Sequence, residues 1–464
     1  VSVPECSVWC TSEMGQRHGR RQGFSYGRYL RYTPPVTNLY HLARQPHCQL
    51  SQPARRFLFL QGVSTPFFPR LADALAAQGH GVFRINFNMG DLANWGGRAS
   101  VSFRQKPDEL DEFMRSVYER YDITDQILFG DRRAVHRPAI VTAPSYGITT
   151  HVFEEGYFRP YWVTLERGGV NRHSGLPKNP EWYREIGPLL PTSGKSSSFD
   201  NPFWKRATYD VLYHGAGMLN PIVYPGYRTH APVTAPVEYG GFLWRQARQS
   251  RYQRTDRESL RRVLRSDDPF FFLPLQLNSD SQIRDHSDFD GMKDVLRYVM
   301  ESFARHAPAQ SNLLIKNHPL DIGLINYRKM VDQFSDELGI QRRAVYVDTG
   351  ALNPILKRTA GVVTVNSTTG VAALEHGSPV ITLSDPIYSM PGLTAQHGLD
   401  AFWQQPDRPD AYLFKCFRDT VIHTTQLNGG FYSREGIEKV IHNGLPRLIS
   451  DESALEQLFQ IVTP

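Results

Sequence analysis

Gly361-Val362-Val363-Thr364-Val365-Asn366-Ser367-Thr368-Thr369-Gly370 is the stretch whose reading decides the fold. Its first five residues lack polar alternation, the pattern of a strand covered on both faces. Asn366 to Gly370 then bring the polar, hydroxyl and small residues that open a helix, so strand passes to helix within one short turn. The next apolar run, 379–383, is another strand. Working outward, strands are expected at 270–276, 312–316 and 344–347, with helices over 289–305, 326–338 and 354–358. Such alternation predicts a doubly wound parallel sheet, which binds ligands beyond the carboxyl ends of its strands.

A second unit of the same kind begins at Arg56. A strand over 57–62 ends at Gly62, a helix runs through Leu71 and Leu75, and a strand follows at 82–87. A helix near 108–121 and strands at 126–130 and 139–143 extend it. The chain's 464 residues exceed one ordinary core, so two domains are expected. The predicted class is α/β, two Rossmann-like domains facing across a cleft. The boundaries are a basic extension over 1–55, a first domain over 56–265 with a Gly/Pro/aromatic-rich insertion, a second over 266–400, and a helical segment over 401–464 packing back on the first domain.

Composition narrows the partners. A net charge of +6 favours nucleic acid, anionic lipid or an acidic sugar. No nucleic-acid-reading motif accompanies it, so nucleic acid is not expected. No run approaches the ~20 apolar residues of a membrane span, and the first residues have no signal-peptide core; a cytoplasmic location is expected. Gly62 follows the first strand without completing GxGxxG, which argues against a dinucleotide. Cys6, Cys10, Cys48 and Cys416 form no paired metal framework, and no metal is expected. Two basic features remain. Arg17, Arg20, Arg21, Arg28 and Arg31 stand among aromatic residues. Arg245, Arg248, Arg251, Arg254 and Arg257 recur every three residues and are followed by Arg261, Arg262 and Arg265. The first reads either as a solvated extension or as a contact for anionic lipid headgroups, the second either as a solvated helix or as a surface that docks on an anionic bilayer or acidic polymer.

The polar residues at the predicted strand ends are the candidate site. Asn366, Ser367, Thr368 and Gly370 at a helix start can hold an anion, since free N–H groups and the helix dipole point there. Glu375, further along that helix, can reach a ribose diol. Lys316 and His318, followed by Pro319, offer cationic or donor groups for phosphate and for a sugar carboxylate. Gln276 and Asp280 end the strand at 270–276. In the first domain, Glu154 and Glu155 stand together near Arg159, Asp131 ends a strand, and Asn88 and Asp91 end an earlier one. Carboxylates from one half and an anion cradle from the other fit a nucleotide-sugar held in the glycosyltransferase-B manner, although fold alone does not set function.

These motifs resemble those of the capsule polysaccharide biosynthesis and export proteins of the KpsS/LipB type. The matching elements run in order: Phe59-Leu60-Gln61-Gly62 with Pro66-Phe67-Phe68, Arg84-Ile85-Asn86-Phe87-Asn88 with Gly90-Asp91, and Gly130-Asp131-Arg132. Phe153-Glu154-Glu155-Gly156-Tyr157 with Arg159-Pro160 follows, then Thr164-Leu165-Glu166 with Gly168-Gly169-Val170-Asn171. Pro274-Leu275-Gln276 through Asp280-Ser281, Lys316 with His318-Pro319, and Asn366-Ser367-Thr368-Thr369-Gly370 complete the set. The resemblance implies a retaining transferase that moves 3-deoxy-D-manno-octulosonic acid (Kdo) from CMP-Kdo to a phosphatidylglycerol-type lipid, starting the capsule linker without a further cofactor. It implies Asp280 as nucleophile, Glu154 or Glu155 as acid/base, and Lys316, His318, Ser367 and Thr368 around CMP. Implied partners are the CMP-sugar, the lipid acceptor, the anionic inner face of the inner membrane and other capsule assembly or export proteins. A different nucleotide-sugar, or a non-catalytic export role, is the alternative.

Overall fold

Short apolar runs become strands that are buried on both faces, as parallel sheets require. The computed structural model describes residues 53–463 apart from 195, 201–202, 228–234 and 278–288, and apart from the side chains of 203, 235–239, 242–243 and 246–249. The expected basic extension over 1–55 therefore lies almost wholly outside the described residues, as does Asp280.

The first half runs β1 (Arg56–Phe59), α1 (Phe67–Ala77), β2 (Gly81–Asn86), α2 (Met89–Trp95), β3 (Val101–Ser102), α3 (Leu110–Tyr121), β4 (Asp125–Phe129), α4 (Arg137–Thr142), β5 (Thr149–Glu155) and β6 (Trp162–Arg167). Helices α5 (Pro180–Ile186), α6 (Phe203–Gly217), α7 (Asn220–Val223) and α8 (Ala235–Arg265) follow. The second half runs β7 (Phe270–Pro274), α9 (Met292–His306), β8 (Asn312–Lys316), α10 (Tyr327–Leu338), β9 (Ala344–Val347), α11 (Leu352–Leu356), β10 (Gly361–Thr364), α12 (Thr368–Glu375) and β11 (Val380–Thr382). The chain ends with α13 (Leu399–Phe402), α14 (Ala411–Thr425), β12 (Gln426–Asn428), α15 (Arg434–Ile449) and α16 (Ala454–Ile461).

Two sheets result, ordered β12-β6-β5-β4-β1-β2-β3 and β11-β10-β7-β8-β9. The second is wholly parallel. The first is parallel from β5 to β3, while β6 and then β12 add antiparallel pairings at its edge. Both sheets wind the same way. The chain steps outward from the first strand of each, then returns to that strand's other side. The switch points therefore fall between β1 and β4 and between β7 and β10, where such sheets open a crevice.

Alternate residues feed the two faces. Phe57, Phe59, Ile127, Phe129 and Phe153 pack under α1 and α15, while Leu58, Leu60, Ile85, Leu128 and Val152 pack under α3 and α4. One core crosses between the halves: Tyr157, Phe158, Trp182 and Tyr183 from the first-half segment lie with Phe272, Leu314, Val371 and Phe417. Trp182 Nε1 also donates to the Val462 carbonyl at 2.8 Å. Burying such aromatic rings contributes on the order of 2–3 kcal/mol each.

The strand expected at 139–143 is instead helix α4. Pro138 sits in its first turn, where a missing N–H costs nothing, and Val141 is 79 % exposed, so the short apolar run is not a buried strand. The true neighbour of β4 is β5, which ends on Glu154 and Glu155. In the middle region, β6 and the long α8 carry no periodic signal strong enough to place them from pattern alone.

Candidate active site at the strand tips

Gln276 and Asn366 leave the ends of β7 and β10, the two strands flanking the second switch point. Gln276 Nε2 donates to Asn366 Oδ1 at 2.9 Å, and Asn366 N donates back to Gln276 Oε1 at 3.2 Å. This reciprocal pair fixes both strand ends. Ser367 caps α12, its Oγ accepting from Thr369 N at 3.1 Å. Its carbonyl takes the Tyr388 hydroxyl at 2.7 Å. Gly370 admits that ring, since a Cβ there would lie 2.4 Å from the Tyr388 oxygen. Thr368 begins the helix, so its N–H is one of the free donors at that end. Glu375, at the far end, faces Arg418 at 3.4 Å, and Arg418 in turn lies 5.9 Å from the Phe158 ring centre.

The next strand over, β8, ends on Lys316. Asn317 anchors the turn that follows, reaching Asp321 at 3.2 Å and Asp348 at 3.3 Å. His318 accepts the Leu320 N–H on Nδ1 at 3.1 Å, which leaves Nε2 as the donor nitrogen of a neutral ring. Burial first, and then Lys316, Arg159 and Arg245, lower its pKa to about 4. Lys316 is lowered too, by burial first and then by Arg245. Lys316, Arg159 and Arg245 thus all disfavour a charged His318, an arrangement that favours an anion there. Arg245, a buried member of the Arg repeat on α8, spreads its guanidinium over the turn, donating to the carbonyls of Pro319, Asp321 and His318.

Arg159 comes from the other half. It follows β5, where Glu154 and Glu155 point to opposite faces of the sheet. Glu155 Oε1 accepts the Tyr432 hydroxyl at 3.0 Å, and Arg206 of α6 stacks 4.5 Å over the Tyr432 ring. Glu155, Arg159, Arg206 and Tyr432 line one cavity of about 250 Å³. Glu154 Oε1 accepts the Glu155 N–H at 2.9 Å, and Glu154 Oε2 sits where a Cβ on Gly130 would be only 3.1 Å away. Gly130 itself has φ +71°, a left-handed turn that brings the β4 tip against the acid. The Arg159 guanidinium, from the segment after β5, bears on His318 of the second half and helps to lower its pKa.

Other candidates are held elsewhere. Asn88 caps α2, accepting from Asp91 N at 2.8 Å. Asp91 is buried against Arg84 at 3.1 Å and also binds Tyr213, Gln61 and Phe87 N. Their polar atoms are committed to the protein, tying α2 to α6. Asp131 is buried 3.4 Å from His173 Nδ1.

Pattern alone passed over Glu166, Tyr213, Arg206 and Tyr432. Glu166 accepts from Tyr157 at 2.6 Å and from Ser174; burial raises its pKa to about 7. Tyr213, Arg206 and Tyr432 gain meaning only from partners far away in the chain, and nothing local marks them.

The family model described as capsule polysaccharide biosynthesis protein matches residues 124–432. The chain belongs to this family. It is 35 % identical over 379 residues to the Escherichia coli protein named capsule polysaccharide export protein KpsS, covering 82 % of this chain and 97 % of that one. It is 36 % identical over 391 residues to the capsule polysaccharide modification protein LipB of Neisseria meningitidis serogroup B, covering 83 % and 93 %. Among solved structures, the Thermosulfurimonas dismutans KpsC β-Kdo 2,7 transferase aligns at TM-score 0.40 with 14 % identity, over 84 % of this chain and 98 % of that one. As a member of this family, the chain has its β4 to β12 portion, and with it the acidic tip, His318 and the Ser367 cap, inside the matched region.

Proposed function

We propose that this capsule biosynthesis protein transfers Kdo from CMP-Kdo to a phosphatidylglycerol-type lipid, with retention at the anomeric carbon. The observation that supports the reading is the reciprocal Gln276–Asn366 pair, which fixes the two strand ends at the second switch point beside the Ser367 cap. Lys316 and His318 follow the neighbouring strand β8, and CMP-Kdo brings two anions, a phosphate and a sugar carboxylate. Lys316, His318 and the free N–H groups beside Ser367 and Thr368 hold the phosphate, so CMP departs as a stabilised anion.

Retention by two carboxylates proceeds by double displacement, with the groups about 5 Å apart. Asp280, four residues past Gln276 and outside the described residues, attacks the anomeric carbon as the bond to CMP breaks. Glu154 or Glu155 then takes the proton of the acceptor hydroxyl as its oxygen displaces Asp280. The work takes place at the cytoplasmic face of the inner membrane, alongside other capsule assembly proteins.

Purified protein with labelled CMP-Kdo and a phosphatidylglycerol analogue tests this. Acceptor-dependent CMP release, with an unchanged anomeric configuration in the product, is expected. Binding of UDP in place of CMP by calorimetry would point to another nucleotide-sugar, and absence of any transfer to a non-catalytic role.

A further inference from the structure

Helix α6 carries its polarity in reverse. Arg206, Asp210 and Tyr213 recur at one-turn spacing on its inner side. There Arg206 stacks on Tyr432, Asp210 accepts from Ser64, and the Tyr213 hydroxyl reaches Asp91 at 3.0 Å. The opposite side presents Trp204, 64 % exposed, and Leu212, 65 % exposed, with Val211 between them. The chain then turns into α7 with Met218 and Ile222 each 80 % exposed. A surface helix in water buries its apolar side and exposes its polar one. The strand tips account for the inward polar groups of α6, but nothing in the described chain covers its outward apolar side. Single exposed apolar residues are ordinary; Val211, Leu212, Met218, Leu219 and Ile222, gathered from the end of α6 into α7, mark a contact surface.

We propose that the outer face of α6 and α7 inserts into the headgroup–acyl boundary of an anionic bilayer. Charge complementarity selects a bilayer over a protein partner. Lys205 holds its ammonium 5.6 Å from the Trp204 ring centre, pairing a cation with an interfacial aromatic. Arg104 lies 5.6 Å from the ring of Tyr224, the residue that closes α7. Such cations add attraction to anionic headgroups, while the apolar side chains supply insertion. Among the described residues no helix is long and apolar enough to cross a membrane, so the contact lies in the interface plane. The inner side of the same helix carries Arg206 into the Glu155 cavity. If the proposed transfer holds, the helix's own width of about 10 Å separates a lipid's anchoring chains from the acid that works on its headgroup.

Flotation of the purified full chain with vesicles of phosphatidylethanolamine and phosphatidylglycerol tests the surface independently of the chemistry. Leu212→Asp and Ile222→Asp are each expected to weaken vesicle binding roughly tenfold or more. Val141→Asp, an equally exposed apolar site on α4, is expected to bind as the parent does. Circular dichroism melting checks each fold, and Leu212→Ser and Ile222→Ser replace any variant that unfolds. Transfer to a water-soluble glycerophosphate acceptor should be unchanged in Leu212→Asp, which separates a lost surface from a lost reaction. Parent-like binding by both variants, an equal loss in Val141→Asp, or no vesicle binding by the parent overturns the proposal. Conversion of an oligomer to a monomer in vesicle-free ultracentrifugation, with flotation intact, overturns it in favour of a protein interface.

Discussion

Arg245 Nη2 lies 2.9 Å from the carbonyl oxygen of His318. A buried guanidinium from the helix before the second sheet therefore holds the backbone of His318. The same group takes the carbonyls of Pro319 and Asp321, and Gly323, at φ +73°, lets the Arg245 stem pass within the space a Cβ would need.

Arg245→Met is expected to loosen this turn. Three charge-assisted bonds are lost and their carbonyls left dry, a cost of about 3 kcal/mol. Urea denaturation should register that loss, and CMP affinity by calorimetry should fall with it. Unchanged CMP affinity in a destabilised protein would show that the turn plays no part in binding.

His318 makes anion binding depend on protons. Its folded pKa of about 4 lies below the ordinary histidine value because burial and then three cationic neighbours disfavour the imidazolium. An anion bound beside it cancels part of that repulsion and raises the pKa, so binding takes up protons. CMP affinity should therefore rise as pH falls from about 6.5 toward about 4, and His318→Gln should flatten the profile. For stability the sign is opposite. The unfolded chain binds the extra proton in that window, so this histidine's contribution is present above about pH 6.5 and is lost as pH falls through it.

Asp91 serves the fold. Its carboxylate is the counter-charge for Arg84, and both are buried. Asp91→Ala should cost about 3–5 kcal/mol, since it strands a buried guanidinium. Chemical denaturation would measure the loss, and CMP affinity at low temperature, where the variant is folded, should stay near the parent's.

Glu166 carries a proton near neutrality, with burial as the main cause and Tyr157 and Ser174 opposing it. A carboxyl with a raised folded pKa stabilises the fold fully below its unfolded value of about 4.5. That contribution is lost as pH rises through about 7. Glu166→Gln should remove this slope from denaturation midpoints measured between about pH 5 and about pH 8.

Parts of the architecture were legible because they are local. The runs 312–316 and 344–347 appear as the strands Asn312–Lys316 and Ala344–Val347, since nothing but burial on two faces explains such uninterrupted apolar stretches. Ser367 announced a helix start and caps one. The run at 139–143 misled, because so short a stretch of four apolar residues and a threonine fits a strand or a helix turn equally well and Pro138 decided it.

Residue types and spacing by themselves determined an α/β chain, the order of its second sheet's strands along the sequence, and the acids and bases offered at the strand ends. Only the tertiary structure decided which of those groups meet. Asp91 and His318 look equally available in a row of letters, yet one is sealed against Arg84 and the other lies beside Lys316, Arg159 and Arg245, which lower its pKa. The physical reason is that desolvation and charge pairing depend on neighbours tens or hundreds of residues away, which no local pattern specifies.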